Sequence, residues 1–486
     1  LTGVLIVLVP ALLLGLGVGL LLLAQQAQSL QAQLDESRAH TVDLQTELDR
    51  RDDDLAELRA LVEELQAQVE VLTQQVRDAG LEPIRATSPE NEAAMDAIEQ
   101  QVQAIRGLNA TRTVTRTLLT SEELREYVVE LQEKNYSRAD ARDDALSLAA
   151  LDLLEPDFEL YDFIVDLYSE QIAGFYDPDT DQLYVIAEPG DLSALERITF
   201  AHEFDHALQD QHFDLEALGF SNDKARQLAD ADRQLAHQAL VEGDGVLLMQ
   251  LWGQDNLSAA DRLAMTTATP ATPVFNTAPR IFREQLLFPY LNGSTFVLTL
   301  QARGDWQAVD AAFENPPVSS EQIIHPERYP DDRPIPITLP PLTNTLPSGW
   351  RIVDETTLGE FMLRQYLTEH LDSVSTVNRA ANGWGGDRYA VYVSAETYAS
   401  AAGGFEYVLV ISQAWDSTRD ADEFAQAYRE YLSARFDLAD PTRTQAGVEW
   451  WVGPETTYFA QNGDRTLIVA GSDEGLVQNV LDTIAP

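Results

Sequence analysis

Two histidines, His202 and His206, stand four residues apart within TFAHEFDHALQDQHFDL, Thr199 to Leu215. On a helix that spacing stacks the side chains on one face, so both imidazoles reach a single metal ion. Glu203 is rotated by one residue, where its carboxylate meets a water beside the metal rather than the metal itself. Two imidazole ligands and an adjacent carboxylate base are the parts needed for metal-assisted hydrolysis of a peptide bond. Asp205 is a charged residue in the interior of this motif. It is read as an outer partner orienting His206 or as a solvated surface acid.

A catalytic zinc takes three protein ligands and keeps one position open. Glu242 is the preferred third ligand. It lies in HQALVEGDGVLLMQLW, His237 to Trp252, where an acid between apolar residues demands a partner. Gly243 and Gly245 beside it allow close approach of another helix. His212, six residues after His206, is an alternative, but a helix continuing through Gln209 turns it about 100° away from the metal face. Asp244 and His237 are the remaining alternatives.

The composition limits what else can take part. The 486 residues contain no cysteine, so disulfides and thiolate metal sites are excluded. A formal charge of −48, with Lys134 and Lys224 the only lysines, argues against nucleic acid as a partner. The length predicts more than one folded unit.

The elements that must position the motif are legible in outline. Gly3 to Ala24 is apolar throughout and long enough to cross a bilayer of about 30 Å, which predicts a transmembrane anchor with the acidic bulk outside the cytoplasm. A heptad pattern follows to Val76. Val62 with Leu65 and Val69 with Leu72 favour a parallel two-stranded coiled coil, and hence a homodimer. Helix is predicted for 88–107 and a strand for 112–120, then a helix capped by Ser121. Two further helices lead to a hairpin, Ala173 to Ile186, turning at Asp177-Pro178-Asp179-Thr180-Asp181. Ser193 is placed to cap the motif helix.

At HEFDH and the later EGD, Glu242 to Asp244, the chain resembles the gluzincin branch of zinc metallopeptidases. It is similar also to a group of bacterial membrane-linked proteins that share an HExxHALQDQHFDL helix, a downstream EGD and an (S/T)EQxxHPE(K/R)Y segment. Here that segment is SSEQIIHPERY, Ser319 to Tyr329. The likeness spans roughly 106–486. It implies a zincin-like fold with Zn²⁺ held by His202, His206 and Glu242, and Glu203 as the general base. Gluzincins often carry an acid four residues past the ligand glutamate, where this chain has Val246. His325 or Tyr329 is a candidate donor to a developing oxyanion; the alternative is a structural loop anchor.

The expected fold class is α+β. A transmembrane helix (1–24) and a coiled-coil stalk (25–80) precede a mainly helical zincin-like domain with a small sheet (88–331). A Pro- and Thr-rich linker (332–349) leads to an antiparallel α+β module (350–486). The expected function is that of a single-pass, membrane-anchored zinc metallopeptidase with peptide or protein substrates. A catalytically silent binding or scaffold protein on the same stalk is the alternative.

Overall fold

A computed structural model describes residues 88–484, apart from 188–189, 222–228, 268–271, 400–403 and 446–447. The predicted anchor and coiled coil lie outside the described residues. Among the described residues no helix is long and apolar enough to cross a membrane. For the described residues the expectation of a transmembrane helix, and of the single-pass membrane location resting on it, is corrected to none found. The two longest helices among the described residues both carry charges that bar them from a bilayer. One, Ala231–Asn256, carries Glu242 and Asp244 at its centre. The other, Arg280–Glu314, carries Arg283, Glu284 and Arg303, and breaks helical geometry at Gly304 and Asp305.

The N-terminal half is built from helix α1 (Pro89–Arg106), strand β1 (Thr115–Leu119), helices α2 (Ser121–Asn135), α3 (Arg138–Ala150) and α4 (Leu160–Gln171), and the hairpin β2 (Gly174–Asp177) and β3 (Gln182–Ile186). The motif helix α5 (Ala194–Phe213) and helix α6 (Ala231–Asn256) follow, then α7 (Ala259–Thr267), α8 (Pro273–Thr277), the kinked α9 (Arg280–Glu314) and α10 (Ser320–Ile324). Beyond an irregular stretch come β4 (Arg351–Thr356), α11 (Gly359–Thr368), α12 (Val374–Ala381), β5 (Trp384–Val393), α13 (Ala395–Ala399), β6 (Tyr407–Trp415) and α14 (Thr418–Phe436). Strands β7 (Arg443–Gln445), β8 (Val448–Val452), β9 (Thr456–Asn462) and β10 (Arg465–Gly471) and helix α15 (Glu474–Ile484) are the last described elements.

Helix ends follow their capping chemistry. Ser88 caps α1 with Pro89 in the first turn, and Gly107 closes it at φ 78°, a left-handed geometry that suits glycine. Thr120, rather than the expected Ser121, caps α2. Its hydroxyl accepts from the Glu123 N–H at 3.2 Å, while Glu123 accepts the Thr120 N–H at 2.9 Å.

The first sheet has order β1-β3-β2, with β1 parallel and β2 antiparallel to β3. The second is a seven-stranded antiparallel sheet of order β4-β5-β6-β10-β9-β8-β7. One hydrophobic cluster contains both Leu146, Ile164 and Phe282 from the helical half and Leu363, Val391 and Tyr428 from the sheet half. Polar links reinforce that seam. Ser147 donates to Asp354 at 2.9 Å, Arg351 pairs with Asp143 at 2.7 Å, and the Ala231 N–H donates to the Thr356 hydroxyl at 3.0 Å. The 332–349 stretch lacks regular structure, yet Leu342 and Leu346 are buried and the Ile335 N–H donates to the Gly385 carbonyl at 2.7 Å.

Candidate metal centre

Helix α5 begins in a capping box. The Ser193 hydroxyl accepts from the Glu196 N–H, and the Glu196 carboxylate accepts from the Ser193 N–H. Asn91 of α1 holds the approach to this helix, accepting the Leu192 N–H and donating to the Gly190 carbonyl. At the far end, Arg112 pairs with both Asp181 and Asp210, and the Tyr176 hydroxyl donates to the same two carboxylates. The hairpin is thus pinned along α5. Every residue from Ile198 to Gln209 is buried, so this is a central helix covered on all sides.

Helix α6 lies alongside α5 and is capped by Asp230, which accepts the Arg233 N–H at 3.1 Å. It brings Glu242 to the histidine pair. His202 Nε2 lies 3.1 Å from His206 Nε2 and 3.2 Å from Glu242 Oε2, and His206 Nε2 lies 3.5 Å from the same oxygen. One donor atom from each residue falls within 4.8 Å of the others, a group able to bind a metal ion. Two imidazoles and a carboxylate match the donor set of a catalytic zinc site. His206 already satisfies its Nδ1 by hydrogen bonding to Gln209 Oε1 at 2.8 Å, so its Nε2 is the free coordinating atom.

Glycines set the close contacts. A Cβ on Gly245 would fall 2.7 Å from His202 Cε1, so the imidazole lies flat on the α6 backbone. A Cβ on Gly174 would meet Thr199 at 2.8 Å and the Glu203 side chain at 3.1 Å, which places β2 directly against the candidate base.

His202, Glu203 and His206 are 0 % exposed and Glu242 is 1 % exposed, so in this conformation bulk solvent does not reach them. Burial disfavours charge on Glu242, but hydrogen bonds from His202 and His206 outweigh it and pull the carboxyl down to about 2. Burial also opposes charge on His206, yet Glu242 overrides it and raises the imidazole to about 9. His202 is held below its ordinary value, chiefly by burial. No side chain hydrogen-bonds the Glu203 carboxyl, and burial pushes it well above its usual range against a weaker pull from the Tyr176 backbone.

The other sequence candidates are engaged elsewhere. His212 Nε2 hydrogen-bonds the Asn109 carbonyl at 2.8 Å, and His237 Nδ1 the Leu218 carbonyl at 2.9 Å. Asp244 accepts from Arg106 Nε with both oxygens at 3.1 Å. Asp205 is fully buried, not solvated, and accepts from Gln209 Nε2 at 3.2 Å rather than touching His206. His325 pairs with buried Glu360, and the Tyr329 hydroxyl donates to the Asn315 carbonyl. In the same segment the Ser320 hydroxyl accepts the Phe361 N–H, and Arg328 pairs with Glu321. The SSEQIIHPERY segment therefore ties α6 and α11 together instead of serving the histidine pair.

Three residues of the centre escape the sequence reading. Gln209 carries a signal, being one helical turn after His206 on the same face. Arg106 carries none, because it meets Asp244 across 138 residues. Tyr290 of α9 sets its ring 6.4 Å from that of His202 at an interplanar angle of 26°.

A family profile described as a domain of unknown function (DUF8575) matches residues 348–481, the sheet half of the chain. No curated protein matches. A solved structure from Chloroflexus aurantiacus, described as a "putative hydrolase with a novel fold", shares 15% identity at a TM-score of 0.33. It covers 50% of this chain and 91% of its own. A TM-score of that size is too low to define a common fold.

Proposed function

We propose that this chain is a zinc-dependent metallopeptidase of gluzincin type. The observation that carries the reading is the convergence of His202, His206 and Glu242 on one buried point, with the buried carboxyl of Glu203 close enough to interact with His206 and Glu242. His202 and His206 would hold the ion through Nε2 and Glu242 through a carboxylate oxygen. A zinc ion there supplies positive charge that polarises a scissile carbonyl and acidifies a nearby water. Glu203 takes the proton from that attacking water and delivers it to the nitrogen of the leaving amine, which departs as the carbon–nitrogen bond breaks. Gly174 lets the β2 backbone approach the Glu203 side chain closely.

The near-zero exposure of all four groups favours a second reading, a metal held for stability in a binding protein. Glu203→Gln separates the two on an unstructured protein such as casein. The peptidase reading expects hydrolysis by the wild type and its loss in the variant, with metal retained in both. Equal hydrolysis by the two proteins would contradict the proposed base, and none by a metal-loaded wild type would favour the second reading.

A further inference from the structure

Beneath the histidine pair lies a second buried layer centred on Gln209, and its neighbours leave its amide only one orientation. Nε2 faces three acceptors, the Val241 carbonyl at 3.1 Å, Asp244 Oδ2 at 3.0 Å and Asp205 Oδ2 at 3.2 Å. The oxygen is therefore the end 2.8 Å from His206 Nδ1. An amide oxygen only accepts, so Nδ1 carries hydrogen, and a neutral, metal-bound His206 would turn its Nε2 lone pair toward the point shared with His202 and Glu242. Asp244 is fixed in turn by Arg106, whose guanidinium is fully buried. That group also pairs with Asp310 at 2.7 Å and lies 4.6 Å from the centroid of the Trp306 ring.

We propose that Gln209 is the positioning residue of the metal centre, fixing His206 as the Nδ1–H tautomer that coordinates through Nε2, and that Arg106 anchors Gln209 through Asp244. This inference rests on the metal-centre reading above. Only glutamine fits the place. A glutamate could accept from His206 but would set a third carboxylate against Asp205 and Asp244, and an asparagine is one methylene too short to span both ends. The arrangement also links α1 to the centre, since Arg106 is the last residue of that helix.

The test uses the full chain, stripped of metal and titrated with Zn²⁺ against a chelator of known affinity. Gln209→Met keeps the length and apolar stem but has no donor and only a weak sulfur acceptor. It is expected to weaken zinc binding by about 10- to 100-fold, the range for loss of an outer hydrogen bond to a ligating histidine. Its Co²⁺-loaded form is expected to show shifted visible bands. Arg106→Ala should weaken zinc binding in the same sense by a smaller factor, with partial recovery in Arg106→Lys. Unchanged affinity and an unchanged cobalt spectrum in Gln209→Met would overturn the assignment, as would equal losses of melting temperature with and without metal at constant affinity. A measurement on the zinc-loaded wild type needs no variant. Histidine ¹⁵N spectra should show His206 coordinated through Nε2 with a slowly exchanging Nδ1–H, and coordination through Nδ1 would overturn the proposal even where the variant fails to fold. A wild type that takes up no Zn²⁺ would instead remove the metal-centre reading itself, and this inference with it.

Discussion

Gly243 of α6 and Gly293 of α9 cross with their backbones in contact. A Cβ on Gly243 would fall 2.3 Å from the Gly293 carbonyl carbon, and one on Gly293 would fall 2.0 Å from the Ala239 carbonyl oxygen. Since backbone cannot give way as a side-chain tip can, the crossing fixes the height of α6 against α9, and with it Glu242. Gly243→Ala and Gly293→Ala are each expected to destabilise the fold by roughly 1–3 kcal/mol or more, measured by urea unfolding. Gly253→Ala is the control. Its added Cβ meets only side-chain tips, Ile198 at 3.1 Å and Leu257 at 3.5 Å, and should cost far less.

Gly245→Ala tests the seat of His202. The new methyl would fall 2.7 Å from Cε1 of the ring, and the imidazole must swing away. Metal affinity should drop on the order of tenfold or more, while global stability falls less than for Gly243→Ala. An unchanged zinc affinity by chelator competition would show that the ring is not seated as described.

The shared core of the two halves predicts that neither the helical half nor the metal centre survives removal of the sheet. A fragment covering 88–331 loses the partners of Leu146, Ile164 and Phe282 and should not melt cooperatively in circular dichroism. A cooperative transition that shifts upward with Zn²⁺ would contradict this.

Much of the centre could be read from residue spacing because it is local: a four-residue interval on a helix brings two imidazoles together in any fold. Glu242 was accessible through another route, since an acid amid Ala239, Leu240, Val241 and Val246 has no place in a core without a partner. Arg106 and Tyr290 were not legible. Their roles depend on which distant helices meet, and residue spacing says nothing about that. The chemistry of His325 and Tyr329 allows an oxyanion role, but their actual partners, Glu360 and the Asn315 carbonyl, are set by tertiary packing. The same holds for 332–349, where proline and threonine dominate the composition while Leu342 and Leu346 are buried.

The pH dependence of the metal-free fold should run opposite to simple acid denaturation between about pH 5 and 8. Burial raises the Asp387 carboxyl to about 6 against the N–H groups of Leu358, Gly359 and Trp384, and raises Asp143 to about 6 against Arg351. A carboxyl raised by folding contributes stability fully below its unfolded value, near pH 4, and loses it as pH rises through about 6. His206, raised to about 9, acts in the same sense at higher pH. His202 and His237, lowered mainly by burial, work the other way near pH 6 to 7 but are fewer. The melting temperature of the metal-free chain should therefore be higher at pH 5 than at pH 8, by differential scanning calorimetry. A rise across that range would contradict the balance.

The third ligand is open to direct comparison. Glu242→Ala should abolish tight zinc binding, because it removes one donor and leaves a buried, unpaired histidine pair. His212→Ala should leave binding within about twofold, because its imidazole bonds the Asn109 carbonyl outside the centre. The reverse pattern in chelator competition would move the ligand assignment to His212.

The central claim, that His202, His206 and Glu242 form a metal centre, is tested most directly by the metal content of the wild-type chain. The measurement is plasma mass spectrometry on folded protein never exposed to chelator. The account predicts about one zinc per chain, lost in Glu242→Ala. A folded wild type carrying no metal would contradict it.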